Sequence, residues 1–218
     1  EQPASMVLLT AYAINNVHLM LLSGIGQPYD PATQKGVIGK NYCYQTGAAA
    51  TLFFEGRNFN PFMNAGGSNA TIDDFNINGN FDRSKLGFVG GYTVGGGFNT
   101  VLPIGYRPVP RGTPQWGKEW KAATAKWYQT AMNISASGGV MSNRYNYYDL
   151  DPTYRNAFGQ PLMRMTFDYK ENEHTMGRHA ADVINAIAKS MNPTRLDEAS
   201  ARTDPWTVVP YQSTHNTG

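Results

Sequence analysis

Apolar and polar positions follow several rhythms along this chain, and each rhythm predicts a different element. Met6 to Ala13 is a short apolar run that fits an inner strand of a parallel sheet. The spacing then becomes helical over Ile14 to Ser23. Ile14, Val17, Leu21 and Leu22 share a face, and Gly24 supplies the stop. A strand running straight into a helix is the grammar of an α/β unit. Ala48 to Phe54 predicts a strand, Asn58 to Asn80 a long Asn- and Gly-rich loop, and Gly87 to Phe98 a strand softened by glycines. Gln115 to Met132 predicts an amphipathic helix started by Pro114. Trp116, Trp120, Trp127 and Ala131 lie on one stripe of it, which makes the tryptophans core anchors. From Leu162 to Tyr169 the pattern alternates. Leu162, Arg164, Thr166 and Asp168 face one way, and Met163, Met165, Phe167 and Tyr169 the other, as in a half-buried strand. Glu171 to Met191 predicts the second long helix. Met176, Ala180, Val183, Ile187 and Met191 form its buried face, and Pro193 ends it. The tail from Trp206 to Gly218 reads as extended and turn-rich.

This order predicts an α+β architecture: an antiparallel sheet with helices on one face, preceded by an edge of an α/β domain. With 218 residues, 41% of them hydrophobic, the chain can bury one sizeable core. The net charge is +2, from 18 basic and 16 acidic residues, with no Lys/Arg block, so no nucleic-acid partner is expected. A single cysteine, Cys43, excludes an internal disulfide and Cys-rich metal sites within this segment. No stretch reaches the ~18 apolar residues of a membrane span. The chain opens on Glu1 rather than Met and closes directly after a motif, so a segment of a longer protein is expected.

Several motifs are weak on inspection. Asp74 to Gly79 begins like a calcium loop, but the twelfth position, where a bidentate Glu is needed, is Lys85. Gly90 to Gly97 lacks the spacing and the Lys-Ser/Thr of a phosphate loop. His174 and His179 lie about 140° apart around a helix and cannot share a metal as an i,i+4 pair does. No metal is expected. His18 sits in an apolar helix and reads as a packed histidine. Asp149, Asp151 and Asp168 could supply paired carboxylates, and Tyr145, Tyr147, Tyr148 and Tyr154 could stack on sugars. They would equally suit an ordinary surface. His215 stands apart, among small polar residues in Ser213 to Gly218, where hydrogen bonds can orient an imidazole.

Three elements in order carry a resemblance. Ala11-Tyr-Ala-Ile-Asn-Asn-Val-His-Leu-Met-Leu-Leu-Ser-Gly-Ile-Gly26 resembles the strand–helix–SGIG element of the glucose–methanol–choline (GMC) oxidoreductases. Gly36-Val-Ile-Gly-Lys-Asn41 resembles the element that comes after it there. Tyr211-Gln-Ser-Thr-His-Asn-Thr-Gly218 resembles the late segment that carries the family's active-site histidine. The runs Asp149-Leu-Asp-Pro-Thr-Tyr-Arg155 and Pro161-Leu-Met-Arg-Met-Thr-Phe167 are similar to those of bacterial gluconate 2-dehydrogenase flavoprotein subunits.

The resemblance implies a C-terminal piece of such an enzyme. Residues 1–45 would be a remnant of the FAD-binding domain, 46–205 the substrate-binding domain, and 206–218 the return segment with the active-site histidine. The family's G-x-G-x-x-G, which receives the FAD pyrophosphate, is absent from the chain, and its second active-site residue would fall beyond Gly218. The implied chemistry is oxidation of a sugar acid or sugar alcohol, gluconate-like, by hydride transfer to FAD. His215 is then the base and Asn216 a partner to substrate or flavin. Ala11, Tyr12 and Asn16 lie where the strand-to-helix turn approaches the cofactor, although Tyr12 replaces the Gly commonly found there. Electrons would pass to a cytochrome or quinone, with a cytochrome c subunit and a small subunit as partners, at the periplasmic face of a bacterial inner membrane. The competing readings are another GMC dehydrogenase or oxidase (glucose, sorbitol or choline type) and a non-catalytic carbohydrate-binding domain.

Overall fold

The computed structural model describes residues 3–61, 69–76, 81–82, 84–98, 108–201 and 215–216. In chain order the elements are α1 (Ala13–Leu22), β1 (Gln45–Phe53), β2 (Asn69–Ile72), β3 (Tyr92–Phe98), α2 (Gly117–Trp127), β4 (Ala131–Gly139), β5 (Tyr147–Arg155), β6 (Pro161–Thr166), α3 (Glu171–Ser190) and β7 (Arg195–Asp197). They divide into two compact units. One comprises Glu1–Gln45, Val140–Tyr169 and Asp204–Gly218, the other Thr46–Gly139 and Lys170–Thr203. Most of the predicted tail, and positions 62–68 and 77–80 of the Asn/Gly-rich stretch, lie outside the described residues.

The second unit is built on a five-stranded sheet of order β2-β3-β4-β1-β7. β2 pairs with β3, β3 with β4, and β1 with β7, all antiparallel. Alternation decides which face is buried. Ala48, Ala50 and Leu52 of β1, Met132, Ile134 and Ala136 of β4, and Tyr92 and Val94 of β3 form one core with α3. The α3 stripe of Met176, Ala180, Ile184 and Ala188, each at most 1% exposed, meets them. Alanines on both sides let the helix approach the sheet closely. Burying a side chain such as Leu52 stabilises by about 1.5–3 kcal/mol.

Both ends of α3 have local causes. The Glu173 carboxylate accepts the Lys170 N–H at 3.0 Å, and Glu171 and Glu173 place negative charge on the first turn. At the other end Asn192 turns left-handed (φ 51°) just before Pro193. The expected antiparallel sheet with helical cover is present. The buried stripe of α3 is narrower than its sequence suggested: Val183 and Ile187 pack at its flank, and Met191 is exposed.

Three expectations need correction. The Gln115–Met132 helix is shorter, because Gly117 (φ 90°) starts it and the chain turns into β4 at Ala131. Trp116 is therefore outside the helix and 84% exposed. Of Trp116, Trp120 and Trp127, only Trp127 is buried, edge-on to Phe53 at 5.2 Å and packed with Ala131. The Asn58–Asn80 loop contains β2, which exists because β3 offers it an edge.

The first unit corrects the third expectation. Residues 6–12 form no strand, and Met6, Val7 and Leu8 are each 75% exposed. A strand needs a neighbour for its N–H and C=O groups, and no described residue supplies one. Two other elements of the unit, α1 and β6, follow the sequence pattern, and β5 was not foreseen. α1 buries Leu21 and packs against β5, and His18 donates Nε2–H to the Pro161 carbonyl at 2.9 Å. β5 and β6 form an antiparallel hairpin, and burial alternates along β6 and its continuation as expected, with Met163, Met165, Phe167 and Tyr169 on the inner side. Buried Asn146 ties this hairpin to the strand's continuation, bonding both the N–H and the C=O of Asp168. Cys43 is a free, buried residue.

Candidate functional site

The segment after α1 is held against β5 in register. Tyr148 N–H donates to the Gly39 carbonyl at 2.7 Å, and Tyr42 N–H to the Asn146 carbonyl at 2.8 Å. Gly39 has φ 89°, and a Cβ there would lie 2.2 Å from the Tyr148 carbonyl oxygen, so only glycine permits this approach. The result is to seat Tyr42. It is 4% exposed, and its ring lies against Tyr148 (centroids 4.8 Å apart) and Phe167 (5.3 Å). Burial pushes the Tyr42 hydroxyl up to about 12, so it stays a proton donor through the neutral range. Burial raises the Tyr148 hydroxyl further still.

The turn before α1 is built differently. Tyr12 caps the helix with φ 84° and ψ 148°, a region almost confined to glycine. The Asn16 side chain holds that turn: its Oδ1 accepts the Ala11 N–H at 2.8 Å, and its Nδ2 donates to the Leu9 carbonyl at 3.1 Å. Asn16 N–H donates to the Tyr12 carbonyl at 2.7 Å. Of the residues singled out in the sequence, Ala11, Tyr12 and Asn16 thus form one connected turn.

Asn216 joins it. Asn216 Nδ2 donates to the Tyr12 hydroxyl, and the Tyr42 hydroxyl donates to Asn216 Oδ1 at 2.5 Å. His215, next in the chain, is exposed, with its ring edge-on to Tyr44 at 6.5 Å. Alongside runs a cleft of about 350 Å³. α1 supplies an apolar wall including Ile14, Val17 and Met20, and Lys40, Tyr42, Tyr148 and Asn216 line the rest. Sequence reasoning missed Tyr42 and Lys40 as site residues, and it weighed Tyr148 only as one of four tyrosines that could stack on sugars. A signal exists for Tyr42, since it directly succeeds the Gly36–Asn41 motif.

The carboxylates do not gather. Asp149 pairs with Arg164 across the hairpin, and Asp151 accepts the Thr153 and Tyr154 N–H groups of its own turn. Those backbone bonds lower the Asp151 carboxyl. Tyr148 is core, and Tyr145 and Tyr154 are exposed. No group of three or more His, Cys, Asp or Glu among the described residues could hold a metal ion, and no described helix is long and apolar enough to cross a membrane.

No family model matches the chain. It is 43% identical over 219 aligned residues to the gluconate 2-dehydrogenase flavoprotein of Pantoea cypripedii. The alignment takes in the whole of this chain. Throughout its length the chain is thus similar to a gluconate 2-dehydrogenase flavoprotein. It spans about a third of that relative's length (35%). The aligned region therefore takes in both units and both halves of the candidate site.

Proposed function

We propose that this chain is part of an FAD-dependent GMC-type dehydrogenase that oxidises a sugar acid or sugar alcohol, gluconate-like, with His215 as the base. One observation carries the reading. The Ala11–Tyr12 turn and the His215–Asn216 return, singled out separately in the sequence, meet through the Tyr12–Asn216 hydrogen bond beside an apolar-walled cleft. The likeness to a gluconate 2-dehydrogenase flavoprotein supports the same chemistry.

The residues present fit part of a flavin. The apolar α1 wall suits a flat ring, and Lys40 lines the same cleft. Ala11, Tyr12 and Asn16 would hold it at the turn. The chain contains no G-x-G-x-x-G to receive the phosphates. When bound, FAD supplies the acceptor for the hydride that leaves the alcohol carbon. His215 takes the hydroxyl proton on an imidazole nitrogen, so it acts in its neutral form. The Tyr44 ring stands edge-on beside it. Residues 1–45 are assigned to the FAD-binding domain, 46–205 to substrate binding and 206–218 to the return segment that carries His215. Onward electron transfer to a cytochrome or quinone, association with cytochrome c and small subunits, and a periplasmic location belong to the same proposal.

The test is His215→Ala in the full-length protein, assayed for flavin reduction by gluconate. Loss of a general base lowers the rate by roughly 10²- to 10⁴-fold. Near-normal turnover would sink the assignment.

A further inference from the structure

The Asn216 amide is held at both ends. Its Oδ1 accepts from the Tyr42 hydroxyl, and its Nδ2 donates to the Tyr12 hydroxyl. Each tyrosine is itself fixed by independent contacts. Tyr42 is wedged between Tyr148 and Phe167, so packing sets the direction of its hydroxyl. Tyr12 sits in a backbone conformation that glycine would adopt freely and tyrosine adopts only when its surroundings over-determine it. Those surroundings are visible. Asn16 grips the backbone of Leu9, Ala11 and Tyr12 on one side, and Asn216 holds the Tyr12 ring on the other. A glycine at position 12 would relieve the strain and remove the hydroxyl that meets Asn216. The strained tyrosine is intelligible if that hydroxyl is what the position requires.

We infer that Tyr12 and Tyr42 are positioning residues: together they clamp the Asn216 amide and, through the chain, set the direction of the adjoining His215 imidazole. Asn216 then acts as a bracket rather than as a ligand to substrate. The inference rests on the reading of His215 as the base. A clamp of this kind acts on the rate. A misaimed base slows proton transfer, while substrate binding, which does not depend on the amide, is preserved.

The experiment uses the full-length flavoprotein, with flavin reduction by gluconate followed in stopped flow. Tyr12→Phe and Tyr42→Phe are compared in the native background and in an Asn216→Ala background. Both Phe variants keep the ring and lose only the hydroxyl. Each is expected to slow reduction about tenfold, within the cost of a small misplacement of a reacting group. The KM for gluconate should stay within twofold, and neither variant should slow the Asn216→Ala protein further. If Tyr12→Phe fails to fold, Tyr42→Phe carries the same test, since its backbone is unstrained. Full rate in folded Tyr42→Phe, or equal losses with and without Asn216, overturns the clamp. The base assignment fails separately. If His215→Ala keeps its turnover while the unfolding midpoints of the Tyr/Asn216 variants remain non-additive, the clamp stands and the base is lost.

Discussion

The Tyr12 hydroxyl and the Asn216 amide nitrogen are hydrogen-bonded across 204 positions of sequence. That bond links the turn before α1 to the return segment carrying His215. It also explains why a tyrosine is tolerated where the backbone (φ 84°) would suit glycine. The second hold on Asn216, from Tyr42, persists wherever an enzyme would work, because burial keeps the Tyr42 hydroxyl protonated up to about 12.

Gly39 is where that arrangement is most easily broken. Its φ is 89°, and an added Cβ would meet the Tyr148 carbonyl oxygen at 2.2 Å. Gly39→Ala should lift the segment before Tyr42 from β5, cost roughly 1–3 kcal/mol of stability and lower turnover more than tenfold. Gly24→Ala is the control. Its φ is 64° but nothing lies within 4 Å, so it should cost only about 1 kcal/mol and leave turnover unchanged. Unfolding midpoints and turnover of the two variants check this; equal behaviour would contradict it.

The tryptophans offer a sharp contrast. Trp127→Ala removes a 7% exposed ring from its contact with Phe53 and should cost about 3–5 kcal/mol. Trp116→Ala, at an 84% exposed position, should change stability by less than about 0.5 kcal/mol. Denaturant unfolding of both variants decides whether the second unit is anchored by one tryptophan or by the whole stripe.

His179 gives the second unit a pH dependence. Its Nδ1 bonds to the Tyr92 hydroxyl at 2.7 Å, and the rings of Phe75, Phe81 and Phe88 surround it. Burial lowers its pKa below the ordinary 6.5, against the opposing pull of Asp182. The folded state therefore prefers the neutral ring, while the unfolded chain binds a proton first as pH falls. The stabilisation is present in full above pH 6.5 and is lost as pH drops from there through the lower folded value. The stability difference between wild type and His179→Gln should be flat above pH 6.5 and shrink below it. A difference that does not change with pH would refute this role.

Asp149 and Asp151 are engaged by Arg164 and by their own turn rather than by each other. Asp149→Asn and Asp151→Asn should each leave turnover within about twofold, as for surface changes away from a site. A thousandfold loss in either would revive the paired-carboxylate chemistry that their residue types first suggested.

Regular elements with strong periodicity are legible without the structure. α1 and α3 announce themselves by helical spacing and by Gly24 and Pro193. β6 alternates so cleanly that the pattern puts Met163, Met165, Phe167 and Tyr169 on their proper side. β4 is not legible. Ala131–Gly139 is built largely of small residues, and its opening Met132 continues the preceding helical pattern. β2 and β7 are short strands that exist only because neighbours offer them an edge. The site is half legible. Ala11, Tyr12, Asn16, His215 and Asn216 stand out by motif, but Tyr42 looks like one tyrosine among many.

By itself the sequence determined which stretches repeat at helical or strand spacing, where glycine and proline interrupt them, and which residues carry recognisable motifs. These are properties of neighbours a few positions apart. Tertiary structure alone decided that Trp127 is buried and Trp116 is not, that Met6 to Leu8 find no strand to pair with among the described residues, and that one asparagine amide sits between Tyr12 and Tyr42. The physical reason is that burial and hydrogen-bond partnership depend on which surfaces meet, and residues 204 positions apart meet only once the chain has folded.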